Sequence, residues 1–111
     1  MEKHRPKRIY VGLEVELASG SKNYKGTIAS LSAKGIGVYL QTRDEESAKN
    51  LSPGTKVGLK FHIPPGEKII LNGEVKWLNT YKNPPHGLTN SFGIQFTEAS
   101  PKYEEFFKSL E

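Results

Sequence analysis

The chain has 111 residues, 35% of them apolar, no cysteine, a formal charge of +4 and a mean hydropathy of −0.57. That length allows one domain around one modest core, and the missing cysteines exclude a disulfide framework, a thiolate metal site and a thiol nucleophile. No run approaches the roughly 18 apolar residues that a membrane helix needs, and the charged start leads into no apolar signal region, so a cytoplasmic protein without membrane insertion is expected.

Residues 1–8 carry Lys3, Arg5, Lys7 and Arg8 against Glu2, a net +3 that leaves +1 for the other 103 residues. A protein that binds duplex nucleic acid spreads its cations over a face of the fold. Here they bunch on a segment too polar to enter a core, which points to a short anionic ligand or an acidic patch and away from nucleic acid. After Arg8 the pattern changes to strict alternation, with Ile9, Val11, Leu13, Val15 and Leu17 on one face of a first strand. Ser19-Gly20-Ser21-Lys22-Asn23 makes a turn, and a second strand runs from Tyr24 to about Leu31. Ser30-Leu31-Ser32-Ala33-Lys34-Gly35 reads as a polar turn whose glycine supplies positive φ.

In a third strand Ile36, Val38 and Leu40 alternate with Gly37, Tyr39 and Gln41. Thr42–Asn50 is a polar loop or a single helical turn, and Ser52-Pro53-Gly54 marks the next turn. Val57, Leu59, Phe61 and Ile63 share one face of a fourth strand, stopped by Pro64-Pro65-Gly66. A fifth strand over about Lys68–Leu78 has Ile69, Leu71, Val75 and Trp77 in phase, which assigns Trp77 to the core face. Asn79–Asn90 is expected to be a loop, and Ser91–Thr97 a sixth strand with Phe92, Ile94 and Phe96 inward. Ser100 then caps a helix that opens on Pro101 and sets Tyr103, Phe106, Phe107 and Leu110 on one face. Six short antiparallel strands closed by an amphipathic helix form a small all-β barrel with a C-terminal lid.

Catalytic and metal chemistry find little to work with. His4, His62 and His86 form no ligand pair, so no metal site and no cofactor are expected. Asp44-Glu45-Glu46 is the densest acidic cluster, but adjacent side chains diverge. No nucleophile elbow, Walker loop or kinase signature occurs, and Gly35-x-Gly37 lacks both the third glycine and the βαβ setting of a dinucleotide fingerprint. The chain reads as a binding module and not an enzyme.

Several features recur in a telling order: a basic Arg-containing stretch entering the first strand, a Ser-x-x-Gly turn after the second, Gly73-x-Val75-x-Trp77, Gly93-x-x-Phe96 and a short closing helix. Together they resemble a PilZ domain, the bacterial module known for binding cyclic di-GMP. The resemblance implies a six-stranded antiparallel split barrel over residues 9–111 with a helix at 101–110, preceded by a flexible basic segment, residues 1–8. It implies a cytoplasmic cyclic di-GMP receptor that acts through a downstream effector protein.

The family's ligand motifs are Arg-x-x-x-Arg before the first strand and Asp/Asn-x-Ser-x-x-Gly after the second. Arg8 matches the second arginine; His4 occupies the first position, with Arg5 beside it. Ser32 and Gly35 match the second motif, and Ser30 stands where Asp or Asn is expected. The resemblance thus implies Arg5, Arg8, Ser30, Ser32 and Gly35 as ligand-binding residues, with Trp77 or Tyr10 available to stack on a base. Because both motifs are degenerate, the alternative is a PilZ domain that binds a protein partner and no nucleotide.

Overall fold

The computed structural model describes residues 8–42, 51–64, 66–82 and 87–110. His4, Arg5, the Asp44-Glu45-Glu46 cluster, most of the Thr42–Asn50 stretch, Pro84-Pro85 and His86 lie outside the described residues. The strands are β1 (Ile9–Ser19), β2 (Lys22–Leu31), β3 (Gly35–Thr42), β4 (Lys56–Ile63), β5 (Glu67–Lys82) and β6 (Leu88–Phe96), followed by the helix α1 (Pro101–Leu110). They pair antiparallel in the order β1-β2-β3-β6-β5-β4, and β1 returns to β4 to close a barrel. The closing seam is short, running from Val15 opposite Phe61 to Ala18 opposite Gly58.

Alternation along each strand fills the interior with Val15, Leu17, Ile28, Leu31, Ile36, Val38, Leu59, Phe61, Leu71, Val75, Phe92 and Ile94, all buried. This is the core that the period-two pattern predicts. The helix begins as its sequence dictates: Ser100 Oγ accepts the backbone N–H of Tyr103 at 3.2 Å. Tyr103 and Phe107 close one end of the barrel, with Tyr103 edge-on to Phe61 and Phe96. Leu110 departs from the expected apolar face and remains 39% exposed. Tyr103 and Phe107 already fill the barrel end, so the last helical turn meets no core.

A second departure concerns Asn79–Asn90. No loop begins at Asn79; β5 and β6 stay paired from Asn79 opposite Ser91 to Lys82 opposite Leu88. Polar residues hold this extension. The carboxamide of the fully buried Asn90 donates to the Leu40 carbonyl at 3.1 Å and to Thr42 Oγ1 at 3.0 Å, and Asn90 Oδ1 accepts the Thr80 hydroxyl at 2.8 Å. A buried carboxamide is tolerated because each polar atom has a partner.

Two measurements test this packing. Phe107→Ala should lower unfolding free energy by about 3 kcal/mol in denaturant titration, whereas Leu110→Ala should stay within about 0.5 kcal/mol of the parent; equal losses would contradict the packing. Burial also pushes the Tyr103 phenol above its ordinary value near 10. The folded state therefore keeps this proton more tightly than the unfolded chain. The stability difference between the parent and Tyr103→Phe should be flat below pH about 10 and shrink above it.

Candidate ligand-binding site

One level of the barrel is built unlike the rest. Facing pairs carry a continuous inner row from Ile9 through Leu31, Ile36 and Ile94 to Val75. The neighbouring outer row runs from Tyr10 through Ser30, Gly37 and Gly93 to Trp77. The outer row thus has an aromatic at each end and only small residues between. Three register shifts flank it: between Tyr10 and Leu13 on β1, between Ile28 and Ser30 on β2, and between Val75 and Trp77 on β5. Bulges of this kind re-aim side chains and gather beside functional sites.

The β5 bulge corrects the expected place of Trp77. Lys76 is the extra residue, so the strand changes phase after Val75 and Trp77 turns outward, 41% exposed, while Leu78 takes the inward position. The indole lies on Gly93: a Cβ there would coincide with Trp77 Nε1. Tyr10 stands at the far end of the row, almost entirely in solvent.

Arg8 enters this surface from the start of β1. Its Nη1 donates to Ser30 Oγ at 3.1 Å, and Ser30 is 4% exposed. Ser30 is therefore covered, and faces the guanidinium more than solvent. In the following turn both the Ser32 backbone N–H and its hydroxyl donate to the Gly35 carbonyl, at 2.9 and 3.0 Å. The Tyr103 hydroxyl donates to the Ser32 carbonyl at 2.6 Å, tying the turn to the helix. Gly35 does not have positive φ, contrary to the reading of the turn. Glycine is required because a Cβ would collide with the Ile94 carbonyl oxygen of β6. Its use is close strand approach, one step removed from any ligand.

Arg8, Ser32, Lys34, Gly35, Lys76 and Trp77 border a hollow of about 180 Å³, with Gln95 on the same wall. This is smaller than a pocket for a whole drug-sized ligand, about 300–1,000 Å³, and suits a subsite for one ring system. The structure brings together Arg8, Ser30, Ser32, Gly35 and Trp77; Arg5 lies outside the described residues. Sequence reasoning missed Lys34, Lys76 and Gln95. Lys34 and Lys76 occupy variable positions within the quoted motifs, and no local pattern marks a bulge.

Charge favours an anion here. Arg8 and Lys34 have no carboxylate partner among the described residues. Lys76 lies 3.4 Å from Glu74, whose carboxyl it holds below the usual range. A larger concavity of about 820 Å³ lies farther along the outer face, lined in part by Glu14, Glu16, Lys25, Lys60 and His62. Its charges offset one another, with Lys60 paired to Glu16 at 3.5 Å, so it presents no comparable anion site. Among the described residues no group of three His, Asp or Glu could hold a metal ion, and no helix is long and apolar enough to cross a membrane.

The family model described as PilZ domain matches residues 2–110. The chain belongs to the PilZ domain family. PilZ domains are non-enzymatic binding modules, the class expected from the sequence. Among solved structures, the chain is similar to the PilZ domain of YcgR from Escherichia coli, solved with c-di-GMP, at a TM-score of 0.74 and 13% identity over 98% of this chain and 88% of that one. It is also similar to the Bacillus subtilis inhibitor of motility MotI/DgrA, at 0.69 and 15% identity over 95% of this chain and 47% of that one. PlzA from Borreliella burgdorferi, solved in complex with c-di-GMP, matches at 0.68 and 17% identity over 92% of this chain and 48% of that one. The chain spans about half the length of the last two. No curated protein sequence matches it.

The chain has a single tryptophan, so its fluorescence reports on this PilZ surface alone. Gly93→Ala should lift the indole off β6 and move the emission to longer wavelength, with the fold retained by circular dichroism. An unchanged emission would contradict the stacking of Trp77 on Gly93.

Proposed function

We propose that this PilZ domain is a cytoplasmic bacterial receptor module for cyclic di-GMP, acting through a second protein. The observation that supports this best is the convergence of Arg8, Lys34 and Lys76 around the exposed face of Trp77. Cyclic di-GMP carries two phosphodiester anions and two flat purines. A guanidinium can clamp phosphate oxygens or read guanine O6 and N7 through paired N–H donors, and an indole face stacks on a base. The c-di-GMP-bound structures of YcgR and PlzA, which share this fold, lend the ligand its identity.

Within this reading Ser30 is a positioning residue. Its hydroxyl accepts from Arg8 and holds the guanidinium beside the bare backbone of Gly37, where a Cβ would stand 3.7 Å from Arg8 Nη1. Arg5 takes the role of the first motif arginine, because the imidazole at His4 is shorter and largely neutral at pH 7. The departures at Ser30 and His4 favour a second reading, in which the domain docks a protein partner and no nucleotide.

Calorimetric titration with cyclic di-GMP separates the two, since the absence of heat at millimolar ligand would favour the protein partner. Arg8→Ala should weaken binding by roughly 10- to 150-fold, the loss of a charge-assisted contact of about 1.5–3 kcal/mol. Arg5→Ala should cost nearly as much, and Lys3→Ala less than about threefold. Equal losses from Lys3→Ala and Arg8→Ala would show nonspecific charge attraction instead. Ser30→Ala should weaken binding about two- to tenfold in the parent and have almost no effect in the Arg8→Ala background, because its contribution passes through Arg8.

A further inference from the structure

We infer that the site accepts adenine as well as guanine, so that this domain binds cyclic dinucleotides of either purine. The inference rests on the cyclic dinucleotide reading above and concerns only what reads the base edge.

Guanine presents acceptors at O6 and N7, whereas adenine presents an acceptor at N7 beside a donor at N6. Guanine also carries N–H donors at N1 and N2, which a selective site meets with a carboxylate or carboxamide oxygen. Nothing here is free to do so from the expected position. Ser30 is covered and its Oγ accepts from Arg8, while the Ser32 hydroxyl donates to Gly35. The nearest carboxylate in register is Glu74, opposite Gln95 on β5, and it is engaged by Lys56 at 3.5 Å and Lys76 at 3.4 Å. No unengaged carboxylate lines the hollow.

What the hollow does present is one complement for each purine. Arg8 matches the O6/N7 pair of guanine. Gln95, exposed on β6 directly opposite Gly35, carries the donor-and-acceptor pair that matches N6 and N7 of adenine. The other contributors do not distinguish bases: Trp77 stacks on any purine face, and Lys34 and Lys76 act on phosphate charge. A site built to bond one edge rejects the other base because its own buried polar groups go unpaired. Gln95 is exposed and can stay solvated, so the wrong purine incurs little penalty.

The test is calorimetric titration of the intact chain with cyclic di-GMP and cyclic di-AMP in the same buffer. The two dissociation constants should lie within about tenfold of one another, since no bidentate contact is lost outright on exchanging the base. Binding of cyclic di-GMP with cyclic di-AMP weaker by more than about a hundredfold would overturn the inference and leave the receptor reading standing. Failure of both ligands to bind would remove the receptor reading itself, and this inference with it. Gln95→Ala should raise the cyclic di-AMP constant more than the cyclic di-GMP constant, by about tenfold in their ratio. An equal change for both would overturn the assignment of Gln95.

Discussion

Tyr103 joins the core to the binding surface. Its ring is almost wholly buried between Phe61, Phe96 and Phe107, where it seals the end of a barrel too small to be closed by strands alone. Its hydroxyl cannot remain unpaired in that setting, and it finds the Ser32 carbonyl at 2.6 Å. The β2–β3 turn, which would otherwise be a solvated connection, is thereby fixed to the helix. The Phe96 N–H bond to the Lys34 carbonyl holds the same turn from β6. A surface turn anchored from two sides can present Ser32, Lys34 and Gly35 in one arrangement, with little entropy left to lose when a ligand arrives.

The second constraint is the set of bulges. A regular barrel of this size would alternate core and solvent residues all the way around. Extra residues on β1, β2 and β5, all near one level, break that alternation where Tyr10, Ser30 and Trp77 meet the surface. Gly37 and Gly93 keep the floor between them bare, so the indole and the guanidinium lie flat against backbone. The outcome is a shallow cationic site with one aromatic wall, built from sheet and not from loops. Such a site is well suited to flat, doubly anionic ligands and poorly suited to chemistry, which needs enclosure and a titratable group of shifted pKa.

Local sequence determined much of this protein. Alternation in Val15 and Leu17, in Ile36, Val38 and Leu40, and in Val57, Leu59 and Phe61 set the inner face, because strand side chains alternate by geometry whatever the neighbours do. Ser100-Pro101 fixed where the helix starts, since capping depends on residues adjacent in the chain. The basic entry to β1 and the Ser32–Gly35 turn marked the site, and the ordered motifs carried the family. Tertiary structure decided the rest. Trp77 lies outside because Lys76 is an extra residue relative to β6, and a bulge exists only between two strands. Asn79–Lys82 is strand because Asn90 finds the Leu40 carbonyl, fifty residues away in the chain. Gly35 is glycine for the sake of Ile94, and Ser30 serves Arg8 more than any ligand directly. Each of these depends on a partner distant in sequence, and no local pattern encodes the distance between residues that only the closed barrel brings together.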